Sequence, residues 1–191
     1  MSVAILVASL WSFASIDRMI DISFFRAEQQ DVQMVFGQPE PPRAAFAARA
    51  MPGVMAAEPF RAVAATISHR NVSRRVTVFG RPAMPQLSRV LDRDLRPMDM
   101  PEAGLILSEA LAQGLGVRQG DTVTVAFLDG SRRTVNLPVS GLSVGYVGLG
   151  ASMELGALHR ATGGAEAISG VNLLIDEDQA PAFFHAAAAA P

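Results

Sequence analysis

Cysteine is absent from the 191 residues, which excludes a disulfide framework, a thiolate nucleophile and a cysteine-ligated zinc site. A cytosolic or an extracytoplasmic address suits that absence equally. Lysine is missing too, so all 16 basic residues are arginine, a pattern read as the codon bias of a GC-rich genome rather than selection for bidentate anion binding. Blocks of like charge are also lacking. With 18 acidic residues against 16 basic ones the formal charge is -2, the signs are mixed along the chain, and nothing suggests nucleic acid.

Charge is missing altogether from residues 3–16, "VAILVASLWSFASI". The run has no basic n-region and no obvious small-x-small cleavage site followed by a mature start, so a cleavable signal peptide is a poor fit. It falls short of the roughly 20 apolar residues that a spanning helix needs. Two readings stay open at this point: an ordinary buried helix, or the outer half of a membrane helix that begins outside this chain. From Ile16 to Phe24 the pattern turns amphipathic, with Asp17, Arg18 and Asp21 off the apolar face.

What is present is enough for a core. Half of the residues are apolar, and a chain of this length buries roughly 70% of its unfolded surface. "DVQMVFG", residues 31–37, alternates Val32, Met34 and Phe36 and predicts a half-buried strand. "QPEPP" breaks it, and an Ala-rich helix follows over about 42–51 with Phe46 and Met51 as its bulky anchors, stopped by Pro52-Gly53. Strand-like stretches at 54–69 and 73–82 are separated by the polar turn "HRNVS". The resulting β-α-β-β order is that of a ferredoxin-like or split α/β unit. Residues 82–103, with four prolines and many charges, predict a linker holding at most one short helix around Leu87–Leu91.

The next unit begins at "GLILSEALAQGLGVRQGDTVTVAFLDG". A short apolar strand leads to Ser108 as helix cap, with Glu109 in the first turn and Leu111 and Leu115 on one face. Gly116 supplies a left-handed ending. A strand over "TVTVAFL", a hairpin turn at Asp129-Gly130 and a partner strand whose Pro138 belongs at an edge or bulge complete the unit. "GLSVGYVGLGASM" predicts a loop or a strongly bent strand, and "ELGALHRATGG" a short helix. The chain closes with a buried strand, "GVNLLID", an acidic cap at Asp176, Glu177 and Asp178, and an Ala-rich helix.

Tests for chemistry come out negative. "GLSVG", residues 141–145, matches G-x-S-x-G, but "YVGLG" follows it and cannot start the helix that a nucleophile elbow requires. His69, His159 and His185 have no partner at metal spacing. Asp176, Glu177 and Asp178 lack the spaced oxygens of a calcium loop and suit a charged helix start. "GLGVRQG" follows a helix, whereas a phosphate site wants its glycines before one. Arg74, Arg75, Arg132 and Arg133 alternate with apolar residues as on a solvated sheet face. The sequence therefore predicts no catalytic, cofactor-binding or metal-ligating residue and no enzyme.

The order of "FFRAEQQDVQMVF", "MPGVMAAEPFRAV", "RRVTVFG", "GLILSEALAQGLGVRQGDTVTV", "VSGL" and "NLLID" resembles the extracytoplasmic domain of FtsX-like ABC transporter permeases of the MacB and LolC/LolE type. The resemblance runs from about residue 10 to 191 and is most specific over 104–125. It implies an α+β fold in which a porter-like β-α-β-β subdomain, preceded by an N-terminal helix, is interrupted by a small β-rich inserted subdomain. The boundaries it implies are 1–23 for the end of a membrane helix and its extension, 24–100 and 166–191 for the porter-like part, incomplete at its end, and 101–165 for the insertion. It also favours the membrane reading of residues 3–16. Implied in turn are a place on the periplasmic side of the inner (plasma) membrane and a cytoplasmic ATP-binding subunit or domain as partner. The cargo would be lipid, lipoprotein or peptide, and the domain would transmit ATP-driven motion. The competing reading is a soluble small-molecule-binding or enzymatic α/β domain.

Overall fold

A computed structural model describes residues 27–130, 132–144 and 150–189. The N-terminal helix expected over 1–23, and with it the membrane reading of residues 3–16, lies outside the described residues. Among the described residues no helix is long and apolar enough to cross a membrane.

Among the described residues, ten strands and four α-helices follow one another as β1 (Val32–Glu40), α1 (Arg43–Arg49), β2 (Val54–His69), β3 (Val72–Arg81), β4 (Val90–Leu91), β5 (Pro97–Met98), β6 (Leu105–Ser108), α2 (Glu109–Leu115), β7 (Thr122–Phe127), β8 (Thr134–Ser143), β9 (Gly150–Glu154), α3 (Leu155–Thr162), β10 (Ile168–Ile175) and α4 (Ala180–Ala189). The mixed α+β class is that expected from the sequence. Two structures share these elements, and β2 belongs to both.

The first half of β2 lies in a small antiparallel sheet ordered β1-β10-β2. Because β10 is antiparallel to both neighbours, β1 and β2 run parallel and α1 is the crossover between them, which makes a split β-α-β unit. Val32 and Met34 of β1, Val171 and Leu173 of β10 and Ala57 of β2 turn one face to α1 and α4. The alternation read in "DVQMVFG" is thus a real two-faced strand. Phe46 departs from expectation: it is 75% exposed, and α1 docks instead through Ala44, Ala45 and Ala48, whose small side chains let the helix lie close to the sheet. Met51 does pack there. On α4 the anchor is buried Phe183, one turn before Ala187.

The second half of β2 enters a closed barrel. It pairs with β3; β3 pairs in parallel with β9, β9 with β6, β6 in parallel with β8, β8 with β7, and β7 returns to β2 through Ala65–Ser68. Closure leaves this ring of six strands without an open edge. Val63, Ala65 and Ile67 of β2, Val76 and Val78 of β3, Leu105 and Leu107 of β6, and Val123, Val125 and Phe127 of β7 fill the interior. Leu111 and Leu115 of α2, the i and i+4 pair, plug it from one element, and Leu158 of α3 from another. Gly80 lets α3 approach, since a Cβ there would stand 2.7 Å from the Leu158 side chain.

Local signals in the barrel behave as read. Ser108 caps α2 by accepting the Leu111 N–H at 3.3 Å, and Gly116 ends it at φ 67°. The short helix expected in "ELGALHRATGG" is α3, and Glu154, not singled out in the sequence, caps it by accepting the N–H groups of Gly156 and Ala157 at 2.7 and 2.6 Å. Pro138 sits beside a register shift between β6 and β8, where Leu105 faces Val139 but Ile106 faces Gly141.

Residues 82–103 are not a loose linker with a short helix. Leu87, Val90, Leu91 and Met100 are buried, and β4 and β5 form a miniature hairpin. Val90, Met98 and Met100 cover Ile106 on the outside of β6, which explains why all four residues of that strand are apolar or buried. The pairings also cross the expected boundary at residue 100, because Arg61–Arg81 of β2 and β3 supplies two of the six barrel strands.

Candidate coupling site at the junction of sheet and barrel

The point where β2 leaves the sheet for the barrel is visible in its burial. Glu58 and Phe60 are buried at even positions, then Arg61, Val63, Ala65 and Ile67 at odd ones. Ala57 before the junction and Val63, Ala65 and Ile67 beyond it serve the two cores from odd positions, so Glu58 and Phe60 are buried on the opposite face, Glu58 under the loop 86–88. Here β10 gives way: Phe60 pairs with Gly170 and Arg61 with Gly80 of β3. Ser169 bridges the gap, its hydroxyl taking the Ala62 N–H at 3.0 Å and donating to the Ala62 carbonyl at 3.3 Å. Arg61 reaches the β7–β8 hairpin turn, donating to Asp129 at 2.8 Å.

Four polar side chains gather beside this junction. Glu58, only 8% exposed, accepts three successive backbone N–H groups, from Gln86 at 2.7 Å, Leu87 at 3.1 Å and Ser88 at 3.4 Å. Such a carboxylate is held by charge-assisted hydrogen bonds and fixes the loop 86–88 on the sheet. Arg81, the last residue of β3, donates to the Ser88 carbonyl at 2.9 Å and to the Ser88 hydroxyl. Ser88, 3% exposed, in turn donates to Glu28 at 3.5 Å, and the Gln30 amide donates to Glu28 as well. Burial lowers the Arg81 pKa from its ordinary value, while the negative charges of Glu28 and Glu58 pull it back up. Its guanidinium also stands 5.5 Å from the centre of the Phe79 ring.

The same loop is zipped to the first described residues of the chain. Gln29 N–H donates to the Leu87 carbonyl at 2.6 Å, Arg89 N–H to the Ala27 carbonyl at 2.7 Å, and Glu28 and Ser88 form an antiparallel bridge. Residues 27–30 are therefore a strap between the loop and β1, and Ser88 joins strap, β2 and β3 at one position.

The residues tested in the sequence for chemistry lie apart. His69 is 3.4 Å from the Leu115 carbonyl, His159 is 2.7 Å from the Ala167 carbonyl, and His185 is exposed on α4. Asp176 accepts the Asp178 N–H at 3.1 Å, as a cap does. Ser143 ends β8 and donates to the Leu107 carbonyl at 3.5 Å; Gly145, the last residue of its motif, is outside the described residues. Arg133 donates to the Arg160 carbonyl at the end of α3, and Arg74 to its neighbour's carbonyl. Among the described residues no three acidic or histidine side chains are placed to hold a metal. Sequence reasoning missed Glu28, Glu58, Arg81 and Ser88. The available signal was Glu58-Pro59, a charge and a β-breaker in an otherwise apolar run of strand residues.

A scan against family models matches none, and a sequence search of curated proteins gives no match. Solved structures do match. The extracellular domain of the noncanonic ABC-type transporter YknZ from Gram-positive bacteria is similar over 74% of this chain and 76% of its own, at TM-score 0.50 and 15% identity. The periplasmic region of MacB from Actinobacillus actinomycetemcomitans is similar over 74% of this chain and 67% of its own, at TM-score 0.50 and 14% identity. Sheet, shared strand and barrel together thus have the fold of these extracellular and periplasmic domains of transporters.

Proposed function

We propose that this chain is the extracytoplasmic domain of an ABC transporter permease, a non-enzymatic part that carries ATP-driven motion to a lipidic, lipoprotein or peptide cargo or to a periplasmic partner. Fold is shared among unrelated functions, so the weight rests on how this fold is entered. The observation that carries the reading is the strap: residues 27–30 lead the chain in from its N-terminal side and are bound within a few residues to β2 and β3. Residues 1–23 are the end of a membrane helix and its extension in this reading, and hydrolysis belongs to a cytoplasmic ATP-binding partner. The small sheet with α1 and α4 is the porter-like part, and the barrel is the β-rich unit.

Met19→Pro in the parent transporter tests this, because proline breaks a helix interior at about 3 kcal/mol or more. The expected result is lost transport with ATP binding retained; undiminished transport rejects the reading. A chain beginning at Asp17 supplies the second check. It is expected to fold without detergent and with an unchanged urea midpoint, whereas a core helix could not be removed without unfolding.

A further inference from the structure

We infer that Ser88 is the keystone of a polar clasp that fixes residues 27–30 to β2 and β3, so that displacement entering at residue 27 reaches the barrel directly. This rests on the reading of the domain as a transmitter of motion. Three observations carry it. The backbone of Ser88 is bound from both sides, its N–H to Glu58 of β2 and its carbonyl to Arg81 of β3. Its hydroxyl then links Arg81 to Glu28 in the strap. Finally, Gln29 and Arg89 zip strap to loop on either side of that point.

The location matters as much as the contacts. Glu58 lies in the half of β2 that pairs with β10, and Arg81 ends the strand that pairs with the barrel half of β2 and with β9. A strap held only by β1 would move the sheet edge, since among the described strands β1 pairs with β10 alone. Held by Ser88, it moves both structures together. Buried, hydrogen-bonded charges resist sliding, because any shift leaves a donor or a carboxylate unpaired in a poorly hydrated place.

Ser88→Ala removes the hydroxyl link and leaves the backbone bonds; Arg81→Met removes the cation that holds both Ser88 oxygens. Amide hydrogen exchange on the 191-residue chain in detergent micelles is the measurement. In both variants the Gln29 and Arg89 amides are expected to exchange about tenfold faster, while barrel amides such as Val78 and Leu107 keep their rates. Arg81→Lys, which keeps the charge but cannot fork to two acceptors, should fall between. Unchanged Gln29 and Arg89 overturn the clasp. So does equal acceleration of the barrel amides, which would make the cluster ordinary folding core. A spin-label distance between Ala27→Cys and Arg75→Cys, available because the chain has no other cysteine, should be single and narrow, and broaden with Ser88→Ala. A distribution that ignores Ser88→Ala likewise overturns the inference. None of these readouts needs a membrane or ATP, so a failed clasp is distinguishable from a failed transporter reading, which Met19→Pro tests.

Discussion

Two side chains of the same size, Phe46 and Phe183, show how little bulk alone says about burial. Phe46 projects from α1 into solvent, whereas Phe183 is sealed between α4 and β10. Phe46→Ser is expected to change stability by no more than about 0.5 kcal/mol and Phe183→Ala to cost about 3–5 kcal/mol, both read from urea unfolding. Arg61 is a second discriminating residue. Its guanidinium is nearly buried and ends on the half-exposed Asp129. Asp129→Ala therefore strands a cation at the junction, and a loss of about 1–3 kcal/mol is expected in the same assay. Gly104 holds φ 89°, and any Cβ there runs into the Ser140 hydroxyl and the Pro138 carbonyl. Gly104→Ala should cost about 1–3 kcal/mol, detectable as a lowered thermal midpoint.

At the level of single elements, caps and periodicity were readable because they depend on neighbours a few residues away. Ser108, Leu111, Leu115 and Gly116 each take the position that "SEALAQGLG" implies. Removing the cap with Ser108→Ala is expected to cost about 1–2 kcal/mol, since the hydroxyl also takes the Gly150 N–H at 3.2 Å. Elements set by distant partners were not readable. The buried cover at 82–103 hides its apolar residues among prolines and charges, and the surface they meet, Ile106 among it, lies on another strand. Phe46 was misjudged for a related reason. In a seven-residue Ala-rich helix the docking face is decided by how near the sheet lies, and alanines allow the nearest approach.

For the whole molecule, the α+β class and the β-α-β start were legible, but ring closure was not. Pairing of β3 with β9 joins Thr77 to Gly150 across more than 70 residues, and no local pattern encodes so distant a partner. Accordingly a fragment spanning 101–165 lacks β2 and β3 and is expected to give the poorly dispersed amide spectrum of an unfolded chain. A fragment spanning 61–165 contains all six barrel strands and is expected to give dispersed resonances; the reverse result would refute the ring of pairings. One strand, β2, is wall to two rooms. A pleated ribbon that runs unbroken from one to the other offers no loop to hinge on, so any relative movement of the rooms has to bend or twist β2 itself.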